Sequence, residues 1–155
     1  MAYQKLQVGR AIPILTNSIY NFPNPALKKF NSIITGGSGT QIIDNTVDFI
    51  ALGVQIGDLV WEIDGAAYTV VTAVIDANTL DVADSVIVIG DNYSIYAYNQ
   101  FESAVLYVGT GGNVEVETVG RDAVMFANVN SGQFLPVQVL KVTAGTNANN
   151  IIALW

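Results

Sequence analysis

The sequence predicts an all-β protein in which a small β-barrel or sandwich unit is inserted in a second antiparallel β domain. Two observations carry this prediction. Short runs rich in Val, Ile, Thr and Tyr alternate with turn-forming clusters of Gly, Asn, Asp and Ser along most of the chain. No window shows the sustained apolar periodicity of an amphipathic helix.

The final third of the chain gives the clearest strand signals. The segment Asn113–Thr118 alternates valines with carboxylates, which is typical of a half-buried antiparallel strand. The chain ends on apolar residues, and a terminus of this kind is expected to pair into a sheet. The glycine-rich segment Gly109–Asn113 is predicted to be a hairpin turn. Strands are predicted at Val105–Val108, Val114–Val119, Val124–Val129, Leu135–Val142 and Ile151–Trp155.

Residues 41–98 form the predicted inserted unit. The dipeptide Asp64-Gly65 is a strong hairpin signal. Several short strands joined by tight turns favour a small closed barrel or a sandwich, because closure removes exposed strand edges. The predicted strands are Leu59–Ile63, Tyr68–Ile75, Leu80–Val82, Val86–Ile89 and Tyr93–Tyr98.

The N-terminal segment is expected to complete the base domain. The apolar run Ala11–Leu15 contains Pro13, which confines it to an edge strand. The flexible stretch Gly36–Gly39 is predicted to be a domain boundary. Residues 1–40 and 99–155 would then form a base domain with an N-terminal arm, whose strand pairs with strands from the end of the chain. Two domains in series with a loose arm are the alternative.

Composition restricts the class of function. The chain has a formal net charge of −7, and only 12% of its residues are charged whereas 51% are hydrophobic. All its basic residues except Arg121 and Lys141 precede Asp44, and from Asp44 through Glu117 every charge is negative. An acidic body disfavours nucleic-acid binding, and no segment is long and apolar enough to span a membrane. The low charge content predicts that the protein is a component of a larger assembly, in which part of its surface is buried against neighbouring subunits.

The residues present also disfavour an enzyme. The chain contains no Cys and no His, which removes His-assisted nucleophiles and Cys/His zinc sites. Five carboxylates could in principle supply the acid and base of a glycosidase: Asp44, Asp48, Asp58, Glu62 and Asp64. Asp58 and Asp64, however, lie where turns favour Asp for its local backbone hydrogen bonds. A calcium site from Asp76, Asn78, Asp81 and Asp84 and a sugar-binding face from Tyr93, Tyr96 and Tyr98 are weighed against roles in turns and core. No catalytic residue, cofactor site or metal site is therefore predicted.

Two blocks of the sequence resemble virion structural proteins of tailed phages. The first comprises Ile43–Phe49, Gly53–Val60, Val71–Asp76 with Thr79-Leu80, and Gly90–Tyr96. The second comprises Gly132–Val139, Gly145-Thr146 and Ile151–Trp155. Their order is similar to that in small virion proteins of marine and cyanobacterial phages, which carry no catalytic residues.

The resemblance implies a capsid decoration, or cement, protein on the capsid exterior of a virion. Such a protein binds the major capsid protein across neighbouring subunits and stabilises the shell, and a homo-oligomer, a trimer at local three-fold positions, is the expected form. The runner-up is a tail, neck or fibre-base component that binds a glycan or a receptor. The residues expected to form the interface with the capsid are Lys5, Arg10, Phe22, Pro23, Pro25, Lys28, Lys29 and Trp155. In the alternative interpretation, these residues pack within the monomer.

Overall fold

The computed structural model describes residues 9–16, 19–98 and 102–155. The described chain is built from β-strands and one short 3-10 turn, Pro25–Leu27, so the prediction of an all-β fold is confirmed. Contacts divide it into a base unit, comprising Met1–Phe22 and Glu102–Trp155, and an inserted unit, Pro23–Phe101. Within the described ranges, no helix has the length and hydropathy to cross a membrane.

The base unit contains one six-stranded antiparallel sheet in the order β1-β13-β9-β12-β10-β11. The N-terminal strand pairs with the last strand, as the sequence predicted, and Ile12 lies opposite Ala153. Its strands are β1 (Ala11–Pro13), β9 (Ala104–Thr110), β10 (Gly112–Thr118), β11 (Ala123–Val129), β12 (Gln133–Val142) and β13 (Asn149–Leu154).

The sheet of the base unit curls around its own core. Strands β9 and β10 are separated only by Gly111, yet they pair with opposite edges of β12. Leu106 of β9 and Val116 of β10 therefore belong to one buried cluster. A Cβ atom at Gly111 would lie 2.5 Å from the carbonyl oxygen of Val129, so the corner requires glycine.

The prediction of a hairpin turn at Gly109–Asn113 is wrong. A hairpin requires the two flanking strands to pair with each other, whereas β12 lies between β9 and β10. The glycines indicate that the chain changes direction here. Local sequence does not distinguish a hairpin turn from a sharp bend that leads into a strand elsewhere in the same sheet.

The inserted unit contains a seven-stranded antiparallel sheet in the order β2-β8-β5-β6-β7-β4-β3. Its two edge strands follow each other in the chain, and the residues between them bond to both sides: Ile34 N–H to the carbonyl of Asp91, and Thr35 N–H to that of Ile43. The sheet thereby closes around a core that includes Phe49 and Tyr93. The strands are β2 (Lys28–Ile33), β3 (Gly36–Ser38), β4 (Gln41–Ile43), β5 (Leu59–Glu62), β6 (Ala67–Val74), β7 (Thr79–Val82) and β8 (Asn92–Tyr96).

Three details of the inserted unit differ from the sequence analysis. Gly36–Gly39 is no linker, because Gly36–Ser38 pairs with β4. The division between the units falls after Phe22 instead, and residues 23–40 belong to the inserted unit because β2 pairs with β8. The predicted strand Val86–Ile89 is reduced to a single bridge between Ile87 and Gly39.

Candidate docking surface

The base-unit sheet has a second apolar face opposite its core. Inward-facing residues such as Leu106 and Leu135 are buried, and the residues between them point away from the core. On β1, β9, β13 and the start of β12 these outward-facing side chains carry no charge. Phe134 is 53% exposed, and Tyr107 and Ile152 are half-buried. We call this set the outer face: Ala11, Pro13, Val105, Tyr107, Phe134, Ile152 and Leu154.

Strand register aligns four residues of the outer face in a row across the sheet. Pro13 lies opposite Ile152, Ile152 opposite Tyr107, and Tyr107 opposite Phe134. The rings of Tyr107 and Phe134 meet with their centroids 5.2 Å apart. The row is therefore a continuous apolar stripe spanning four strands, because directly opposed side chains are in contact range.

The two units differ sharply in charge. The inserted unit has two lysines against nine carboxylates, which gives it the formal net charge of −7. The base unit has four basic and four acidic residues and is formally neutral. The outer face therefore lies on the unit whose formal net charge is zero.

Three predicted contact residues of the base unit are tied to its own fold. Phe22 is 2% exposed and packs in the core, where its ring meets that of Trp155 edge to face at 6.2 Å. The Trp155 indole N–H donates to the carbonyl of Glu102 over 3.2 Å. The backbone N–H of Trp155 donates to the carbonyl of Arg10, whose side chain is exposed. Lys5 lies outside the described residues.

The other predicted contact residues lie in the inserted unit. Pro23 is buried, Pro25 begins the 3-10 turn, and Lys28 is exposed at the start of β2. Lys29 forms an ion pair with Asp58, with Nζ to Oδ2 at 2.6 Å, and donates to the carbonyl of Gly53. This pair joins the basic N-terminal segment to the acidic region that follows it in the chain.

Asp44 is a buried carboxylate with every oxygen engaged. Its Oδ1 accepts from the backbone N–H and the hydroxyl of Thr46, and its Oδ2 accepts from the hydroxyl of Tyr93. Burial opposes ionisation, but hydrogen bonds from Ser32, Thr46 and Tyr93 outweigh it and hold the pKa of Asp44 below its usual value. Asp44 therefore organises the interior, where its carboxylate is shielded from solvent.

Three carboxylates approach each other at the β5–β6 turn. One oxygen each from Glu62, Asp64 and Asp91 lies within 4.8 Å of the others, the one such group among the described residues. Burial and the neighbouring Asp91 raise the pKa of Glu62, whose two oxygens accept the N–H groups of Asp64 and Gly65. Asp64 accepts from the backbone and side chain of Asn92. These bonds fix the turn, which is a structural role.

The remaining candidate residues also serve the fold. Tyr93 and Tyr96 are buried and present no aromatic platform to a sugar. Asp76 caps the turn at Asn78, whose side-chain amide donates to the carbonyls of Asp44 and Val47. Asp58, one of the carboxylates considered for hydrolysis, is held by Lys29.

None of the contact residues predicted from the sequence lies on the outer face. A signal for it was present in Val105–Val108, where four consecutive residues are apolar and no polar position alternates with them. An uninterrupted run of this kind indicates a strand that is apolar on both faces.

In comparisons with protein-family models, with curated proteins and with solved structures, no match to this chain was found.

Proposed function

We propose that this protein is a capsid decoration protein of a tailed phage and that the outer face of its base unit docks on the capsid exterior. The observation that carries the proposal is the uncharged apolar stripe from Pro13 to Phe134, on a sheet whose opposite face already contains the core. Exposed apolar faces of this kind mark sites of protein association.

The charge distribution supports docking through the base unit. Burying an uncharged face avoids the cost of removing ionised groups from water, which is several kcal/mol for each unpaired ion. The inserted unit, with its charge of −7, is suited to remain in solvent, where like charge keeps particles apart.

The resemblance to tailed-phage virion proteins gives the partner. Its first block lies in the inserted unit and its second in strands β12 and β13 of the base unit, which contribute Phe134 and Ile152 to the outer face. The decoration protein binds where neighbouring capsid subunits meet. Because that binding site exists only in the assembled shell, each bound copy shifts the equilibrium toward the intact capsid.

A charge placed in the stripe tests the proposal. Phe134→Asp introduces a carboxylate at an exposed position and is expected to weaken binding to capsids stripped of the protein by about 10-fold or more, measured by co-sedimentation. The matched control is Ile56→Asp, which places the same charge on a 70% exposed apolar side chain of the inserted unit.

The control is expected to bind capsids like the unmodified protein, and both variants are expected to unfold at the unmodified protein's temperature. Equal loss of binding in the two variants would show a nonspecific charge effect and would contradict docking through the outer face. Unchanged binding by Phe134→Asp would do the same.

A further inference from the structure

The strand β11 is an unprotected edge of the base-unit sheet. Among the residues that the structure describes, it pairs with β10 alone, and its sequence from Ala123 to Val129 contains no charged residue and no proline. Natural sheets usually protect such edges with charges, prolines or very short strands. The opposite edge, β1, follows that rule because it is three residues long and contains Pro13.

The hairpin register shows which backbone groups of β11 face outward. The N–H of Thr118 donates to the carbonyl of Asp122 where the hairpin closes. Hydrogen-bonded pairs then alternate along the ladder, so Val124 and Phe126 bond to β10. The N–H and C=O groups of the residues between them point away from the sheet: Ala123, Met125 and Ala127.

The free edge ends at a defined point. Asn128 has a positive φ of 54°, and its N–H is taken by the side-chain oxygen of Asn113 at 3.0 Å. The register shifts beside it, so a bulge terminates the regular edge. The template for another strand therefore runs from Ala123 to Ala127.

This template is complementary to itself. In an antiparallel pair with its two-fold axis at Met125, Met125 lies opposite its own copy, and Ala123 lies opposite Ala127. Val124 lies opposite Phe126, which is a favourable apolar pair. Each of the three outward-facing positions then exchanges both backbone hydrogen bonds with its partner strand.

Electrostatics permit two copies to meet at this edge. The base unit is formally neutral. Glu117, beside Ala123 on β10, is paired with Arg121 at 2.9 Å and Lys141 at 3.0 Å. Glu115, beside Met125, accepts from the hydroxyl of Thr143 and the N–H of Gly145. Glu117 is therefore paired with cations within each copy, and the carboxylate of Glu115 is held by hydrogen bonds within each copy.

We propose that this protein forms a two-fold dimer in which β11 of one copy pairs antiparallel with β11 of a second copy, with Met125 at the axis. A dimer of this kind carries two outer faces, one from each copy. It differs from the trimer expected from the resemblance. A strand of another protein is the competing occupant, and it would leave the purified chain monomeric.

Single cysteines in this cysteine-free chain test the register. Directly opposed residues have Cα atoms about 5.5 Å apart, within reach of a disulfide, so Met125→Cys is expected to form a linked dimer under mild oxidation. The control is Ala127→Cys, which the same register offsets from its own copy by four residues, about 13 Å. It is expected to remain unlinked.

Sedimentation of the unmodified protein is expected to give the mass of a dimer. Met125→Pro removes only an outward-facing N–H and is expected to weaken dimerisation at least 10-fold. A monomeric or trimeric mass would overturn the proposal. Equal crosslinking of both cysteine variants, or crosslinking of neither, would also overturn it, and this readout stands even if the proline variant fails to fold.

Discussion

Tyr93 donates its hydroxyl hydrogen to Asp44 across 2.8 Å inside the closed sheet, and neither side chain is exposed to solvent. The bond joins β8 to the segment that follows β4. Burial and the adjacent carboxylate raise the pKa of Tyr93, so the phenol stays a donor at all physiological pH values.

Replacing Tyr93 with Phe is expected to lower the free energy of unfolding by about 1–3 kcal/mol, since the buried carboxylate of Asp44 loses a donor. Urea denaturation at neutral pH measures the loss. The matched control is Tyr107→Phe, which removes the same hydroxyl from the half-buried outer face and is expected to change stability by less than about 0.5 kcal/mol.

The difference in stability between the unmodified protein and the Tyr93→Phe variant is also expected to depend on pH. Because the pKa of Asp44 is lower in the folded state than in the unfolded chain, its ionised form stabilises the fold above the unfolded pKa. That contribution is lost as pH falls through the folded pKa. The unfolding free energies of the unmodified protein and the Tyr93→Phe variant are therefore expected to converge in acid. A difference that persists unchanged would contradict the role of Asp44.

Two adjacent lysines are expected to have separate roles. Lys29→Met leaves Asp58, whose side chain is 7% exposed, without its ion-pair partner and is expected to cost about 1–3 kcal/mol of stability. Lys28→Met, at an exposed position, is expected to cost less than about 0.5 kcal/mol. Thermal unfolding compares them, and equal losses would mean that the Lys29–Asp58 pair has no net stabilising effect.

The contribution of Glu62 to stability is expected to depend on pH in the opposite sense to that of Asp44. The pKa of Glu62 is higher in the folded protein than in the unfolded chain. Its protonated form therefore stabilises the fold at pH values below the unfolded pKa, and this stabilisation is lost as the pH rises through the folded pKa. Asp91→Asn removes the neighbouring negative charge. It is expected to raise stability at neutral pH by on the order of 1 kcal/mol and to have little effect in acid.

Chemical denaturation at several pH values measures this effect. The control is Asp48→Asn, which removes an exposed carboxylate of the same unit that lies outside the three-carboxylate group. If Asp91→Asn stabilised the protein no more than the control did, general relief of the acidic charge would explain the result.

Phe22 and Trp155 are expected to act through the core of the base unit. Phe22→Ala leaves a cavity beside Trp155 and is expected to cost about 3–5 kcal/mol of stability. Any loss of capsid binding should then accompany unfolding, as measured by circular dichroism of the same sample. A well-folded Phe22→Ala variant that fails to bind capsids would instead indicate that Phe22 contacts the capsid directly.

The strands of the base unit were largely predictable from sequence. Alternation in Asn113–Thr118 and the apolar end of the chain are local signals, and both lie in paired strands. The pairing partners of β9 and β10 were not predictable in this way. They depend on how β12 fits between the two strands, which is a contact of long sequence separation.

Glycine-rich segments were the main source of error. Gly36–Gly39 has the composition of a linker, yet it pairs because Gly37, at φ 92°, fits against the backbone of Gln41. Lys28–Ile33 has mixed polarity and became a strand because β8 provides its partner. The outer face was missed because the unbroken run Val105–Val108 predicts a strand that is apolar on both faces but does not show which face the core covers.

The most direct test of the proposed function is the copy number of this protein in purified virions, measured by quantitative mass spectrometry against the major capsid protein. A decoration protein is expected at a ratio near one copy per capsid subunit, or at a simple fraction of it, because it repeats with the shell. A few copies per particle would contradict decoration and favour the tail, neck or fibre base. Absence from the particle would contradict both.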